Sequence, residues 1–114
     1  MKGAHIDAVE RSVADLTLHV SRVPGRGVRR TGTVAFHGVT TFESRDERSG
    51  GPRPIEAGAS VTRWCWAGNE VAFSTAKAIY QGEAVLTDVR IAFDGVGIEL
   101  RLSPGATIKD WVGW

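Results

Sequence analysis

The chain has 114 residues, a formal net charge of +1, and 42% hydrophobic against 24% charged residues, enough for one domain with its own core. No apolar run approaches the ~20 residues of a membrane helix, and a single cysteine excludes an internal disulfide and any need for an oxidising compartment. The start, MKGAHIDAVERS, lacks the apolar stretch of a secretory signal, so one cytoplasmic domain over residues 1–114 is the expectation.

In chain order, the first segment is "HIDAVERSV", residues 5–13. It fits a short strand, although Ile6, Val9 and Val13 also sit at helical spacing; a helix there would lack a good N-cap. "ADLTLHV" follows with strict alternation: Ala14, Leu16, Leu18 and Val20 on one face, and Asp15, Thr17 and His19 on the other. That is a half-buried strand. Next comes "SRVPGRGVRR", a turn-rich connection carrying Arg22, Arg26, Arg29 and Arg30 with no acidic residue among them. In "TGTVAFHGVTTFE" the apolar alternation of Val34 and Phe36 is interrupted at His37-Gly38, which suggests a bulge before Val39 and Phe42.

"ESRDERSGGPRPIEAG", residues 43–58, is charged and rich in Gly and Pro, and reads as an exposed, mobile loop. "VTRWCWAGNEVAF" reads as a hairpin about Gly68-Asn69. Trp66 then opposes Val71, Trp64 opposes Phe73 and Cys65 opposes Ala72, with both indoles toward the core. A second hairpin is expected about Asp94-Gly95, with Ile91 opposite Ile98, Arg90 opposite Glu99 and Asp88 opposite Arg101. The tail "ATIKDWVGW" is a last strand or an irregular end. Six to eight short strands, with little or no helix, define an all-β, mainly antiparallel domain, either a sandwich or a small barrel.

Chemistry is sparse. A nucleophilic cysteine needs a base, a cation or a helix N-terminus to lower its pKa; Cys65 has Arg63 two residues away but no local histidine. His5, His19 and His37 are scattered, without metal-ligand spacing. No glycine-rich phosphate loop opens a helix. No catalytic residue, metal or cofactor is therefore assigned.

What stands out is charge. Eleven of the 14 basic residues are arginine, a bias that suits bidentate binding of carboxylate or phosphate, and that a GC-rich genome also produces. Four of them crowd "SRVPGRGVRR". The expected partner-binding residues are Arg22, Arg26, Arg29 and Arg30, with Trp111 and Trp114 of the tail. Their partner is another protein, or alternatively nucleic acid or a small ligand held in a barrel; pairing of an open sheet edge with a second copy is a further option.

The succession His5-Ile6-Asp7-Ala8, "LTLHV" and "VAFHGVTTF" resembles small β-rich bacterial proteins that include immunity proteins neutralising secreted toxins. The likeness covers roughly the first 42 residues, and "PGRGVRR" is longer and more basic than that pattern. The resemblance implies a non-enzymatic protein that occludes a partner, and carries no catalytic residues over.

Overall fold

The computed structural model describes residues 1–25, 28–78 and 82–102. Eight strands follow one another: β1 (His5–Arg11), β2 (Leu16–Gly25), β3 (Val28–His37), β4 (Thr41–Asp46), β5 (Ala59–Ala67), β6 (Glu70–Ala78), β7 (Ala84–Ala92) and β8 (Gly95–Leu102). All pairings are antiparallel, in the order β4-β7-β6-β5-β1-β2-β3-β8. There is no α-helix among the described residues. β4 and β8 are the two edges and do not pair, so the sheet is not closed into a barrel and the barrel alternative is set aside.

One weak seam shapes the molecule. The β1–β5 ladder has two residue pairs, His5 with Ser60 and Ile6 with Ala59, extended by the Gly3 amide to Val61 O, the Val61 amide to Ala4 O and the Gly58 amide to Ile6 O. Either side of that seam lies a four-stranded half, and the apolar faces of both join one core. Leu16, Leu18, Val34 and Phe36 come from one half; Val61, Val71, Phe73 and Ile91 come from the other. Phe36 of β3 lies 4.9 Å from the Phe93 ring and 6.2 Å from the Trp66 ring, centroid to centroid. These offset, tilted contacts suit the aromatic quadrupole. This is sandwich packing built from a single folded-over sheet.

Bulges keep the alternation in phase. On β2, Val20 pairs with Gly32 and Val23 with Arg30, so Ser21 and Arg22 together oppose Thr31. The extra residue returns Val23 to the core, where it is buried. Arg22 takes φ of 52° to make the bulge, the only non-glycine residue with positive φ among those described.

Four expectations are revised. The β5–β6 hairpin has the expected register at every pair, Trp66 with Val71, Trp64 with Phe73, Cys65 with Ala72 and Arg63 with Ser74, around Gly68 at φ 58°. Its tryptophans are less buried than the register implies: Trp64 is half-buried and Trp66 is 39% exposed. Register sets which face a ring occupies, whereas cover depends on how far the opposing half extends.

The hairpin about Asp94-Gly95 does not form. β7 has β4 on one side and β6 on the other, and β8 pairs with β3, Phe36 against Val96 and Val34 against Ile98. Phe93 is buried and its amide donates to Asn69 O (3.0 Å), while the Asp94 amide donates to His37 O (2.9 Å). The chain therefore crosses from one half to the other. Arg90 pairs with Glu70 in place of Glu99, and Asp88 accepts from Ser74 Oγ at 2.6 Å.

The His37-Gly38 step is a corner, not a bulge. β3 ends at His37, and after Gly38 the chain crosses to β4 at the far edge of the other half. Gly38 has φ 62°, and a Cβ there would stand 2.5 Å from Asp94 Oδ2, so only glycine fits the corner.

The expected loop at 43–58 is shorter than anticipated, because Glu43–Asp46 belong to β4. The rest is tied back to that strand. The Asp46 amide donates to Gly51 O (2.8 Å), the Arg53 amide to Ser44 O (3.0 Å), and Arg53 Nε lies 2.8 Å from Asp46 Oδ2. The Ser49 and Arg48 amides donate to Asp46 Oδ1 (3.0 and 2.9 Å), and in that order they hold its carboxyl below the ordinary value, with further help from Arg53 against opposing desolvation.

A carboxyl with a depressed folded pKa adds stability above its unfolded pKa and loses it as pH falls through the folded value. The urea midpoint should therefore fall below about pH 4. Asp46→Asn should lower the midpoint at pH 7 and flatten that acid loss, as urea titrations at several pH values will report.

Candidate functional site

The basic segment is the end of a ribbon in place of an open turn. β2 continues to Gly25 and β3 begins at Val28, with Pro24 opposite Arg29 and Val23 opposite Arg30. Because side chains alternate along a strand, Arg29 and Arg30 lie on opposite faces. Arg30, opposite buried Val23, is on the core side and half-buried; Arg29 is on the outer face and exposed. Arg22 is exposed on the bulge, and its carbonyl accepts a hydrogen bond from Arg29 Nη1 at 3.4 Å. Arg26, Trp111 and Trp114 lie outside the described residues.

β8 adds a cation that the sequence reading missed. Arg101 stands opposite Thr31 on the same outer face, one step diagonally from Arg29. It was matched with Asp88 in a hairpin that does not form, so the composition of "ELRL" held no signal of this neighbourhood. Arg22, Arg29 and Arg101 thus surround Thr31. None of the three has a carboxylate within ion-pair distance among the described residues. Elsewhere Arg53 pairs with Asp46, Arg90 with Glu70 and Arg45 with Glu43 at 3.7 Å. Arg11, Arg48 and Arg63 also lack a carboxylate within ion-pair distance among the described residues, but they are scattered over the chain and do not gather into a patch. The Arg90 guanidinium holds the Glu70 carboxyl below its usual range.

Two shallow open grooves mark the outer faces. One, about 480 Å³, runs over β4-β7-β6-β5 and is lined by Arg63, Cys65, Ser74, Asp88 and Arg90 among others. Cys65 is a free, exposed thiol, and no histidine lines that groove. The other, about 490 Å³, adjoins the arginine patch and is lined by Asp7, His19, Thr31, Thr33, Glu99 and Arg101 among others. His19 Nε2 lies 3.1 Å from Glu10 Oε1, and His37 Nδ1 lies 3.5 Å from Asp15 Oδ2. These two histidines each face a carboxylate, and neither lines the groove that holds Cys65. No group of three or more metal-type side chains gathers among the described residues.

Besides Val13 between β1 and β2 and Trp66 on β5, exposed large apolar side chains sit on the two edge strands. Phe42 of β4 is 37% exposed under the Arg11 guanidinium, 5.7 Å from the ring centroid. On β8, Val96 and Ile98 are 38% and 56% exposed although they stand opposite buried Phe36 and Val34. No described helix is long and apolar enough to cross a membrane. Comparison of the chain with protein-family models, with curated protein sequences and with solved structures gave no match.

Proposed function

We propose that this is a non-enzymatic bacterial protein of the cytoplasm that binds an acidic surface on another protein through the outer face of its β2–β3–β8 end. The observation that carries this is the cluster of Arg22, Arg29 and Arg101 around Thr31, exposed and without a carboxylate in ion-pair distance among the described residues. Guanidinium groups left unneutralised on a paired ribbon suit bidentate pairing with carboxylates of a partner. Cross-interface charge pairs of this kind also speed encounter. Occlusion of a partner toxin, the action implied by the resemblance of the first 42 residues, is the role this best fits.

Nucleic acid is the competing partner. A single strand needs exposed aromatics beside the cations, and the exposed Trp66 belongs to β5 in the other half. The test is affinity capture with the wild-type chain and with Arg22→Glu/Arg29→Glu in parallel, followed by binding measurements on the retained molecule. A protein retained by wild type and bound about tenfold or more weakly by the variant supports the reading. Equal affinity for both chains, or a retained molecule that is nucleic acid with steeply salt-dependent binding, overturns it.

A further inference from the structure

An edge strand displays unpaired backbone donors and acceptors, and proteins ordinarily block such edges with charge, proline or a covering loop. β4 is blocked in this way. Its own loop folds back along it through the Asp46–Gly51 and Arg53–Ser44 backbone hydrogen bonds and a bridge between Arg45 and Pro52. β8 has no such cover among the described residues: its second edge pairs with nothing, and Val96 and Ile98 remain exposed on its core-side face.

The sequence along that edge is self-complementary under reversal. Ile98-Glu99-Leu100-Arg101-Leu102 reads apolar, acidic, apolar, basic, apolar. In an antiparallel pairing with itself centred on Leu100, Glu99 falls opposite Arg101 of the second copy and Ile98 opposite Leu102 of the second copy. Sliding by two residues one way sets Glu99 against Glu99 of the second copy; sliding the other way sets Arg101 against its own counterpart. Like charges directly opposite destabilise a strand pair, whereas opposite charges support it. Neither Glu99 nor Arg101 has an ion-pair partner among the described residues. Both are available to a second chain.

We propose that β8 pairs antiparallel with β8 of a second copy about a two-fold axis at Leu100, joining the two β1-β2-β3-β8 halves into one continuous eight-stranded layer. The two-fold axis stands perpendicular to the sheet, so the exposed Ile98 of each copy gains apolar neighbours on the core-side face, while two Glu99–Arg101 pairs form on the outer face. The interface is isologous and closed. It is short, so the association belongs with the weak, transient class. Arg101 is common to this pairing and to the arginine patch, but Arg22 and Arg29 take no part in the pairing, so the Arg22→Glu/Arg29→Glu variant tests the acidic-partner reading without touching the dimer.

Sedimentation velocity of the full chain from about 1 μM to about 1 mM should show a monomer–dimer equilibrium. Glu99→Arg alone and Arg101→Glu alone each create two like-charge pairs and should raise the dimer Kd about tenfold or more. Glu99→Arg/Arg101→Glu restores opposite charges across the axis and should return the Kd to near the wild-type value. Ile98→Lys, at an already exposed position, should abolish dimerisation. A chain that stays monomeric throughout the range overturns the proposal. So does a dimer whose Kd ignores the single substitutions, or a double swap that fails to restore it.

Discussion

Replacing Gly32 with alanine should destabilise the protein by about 3 kcal/mol or more, an unusually large effect for adding one methyl group. Gly32 sits in β3 between Val20 of β2 and Leu100 of β8. A Cβ built there would stand 1.8 Å from the Glu99 carbonyl oxygen, 2.8 Å from its carbonyl carbon and 3.0 Å from Leu100 Cα. Every one of those atoms is backbone, so no rotamer change relieves the overlap. β8 must lift off β3 or the two strands must splay. Gly97, two strand positions from Glu99, is the internal control: its Cβ would meet only His37 Nε2, at 3.8 Å. Gly97→Ala should stay within about 0.5 kcal/mol of wild type or stabilise slightly, since the unfolded chain loses freedom. Urea unfolding midpoints of the two variants against wild type will separate the cases.

Phe36→Ala should cost about 3–5 kcal/mol, the range for emptying a fully buried aromatic site. Phe36 is 0% exposed and packs against Phe93, and its ring also meets Trp66 of the opposing half. Backbone pairing between the halves is confined to a short seam, the two ladder pairs of β1 and β5 and the flanking bonds Gly3–Val61, Val61–Ala4 and Gly58–Ile6, so side-chain packing adds substantially to their association. The variant should also shift Trp66 emission toward the red, because the indole loses one of its two phenylalanine neighbours and is already 39% exposed. A variant with unchanged unfolding midpoint would mean that the halves are held by something other than this ring cluster.

How far the fold can be read from the chain depends on how local the information is. Period-two alternation located β2 and β3, and the apolar pairs around Gly68-Asn69 specified the β5–β6 register residue by residue. The Asp94-Gly95 case shows the limit. Ile91 and Val89 alternate with Arg90 and Asp88, and Ile98 and Leu100 alternate with Glu99 and Arg101, so each strand can satisfy any neighbour of matching pattern. Which neighbour it meets is decided by the whole sheet. β7 has both edges filled by β4 and β6, and β3 is left to receive β8.

The candidate site follows the same division. The cations Arg22 and Arg29 were evident as a dense basic run, but that run is a bulged ribbon whose alternation sends Arg29 and Arg30 to opposite faces. Arg101 enters the patch only through β3–β8 pairing, a contact between residues some seventy positions apart in the chain. Cys65 was correctly separated from the tryptophans, since strand alternation alone puts it on the outer face with Ala72. The exposure of Trp66, Val96 and Ile98 had no sequence signature, because apolar residues on a core-side face look the same whether or not another layer reaches them.

The central claim is that unneutralised arginines on the β2–β3–β8 end capture an acidic protein. Its most direct measurement is the association rate constant of the captured partner with wild type and with Arg22→Glu/Arg29→Glu, at ionic strengths from about 0.05 M to about 0.5 M. Electrostatic steering predicts a wild-type rate that falls as salt rises and a variant rate about tenfold or more lower at low salt, the two converging at high salt. Equal rates for the two chains across the whole salt range would contradict it.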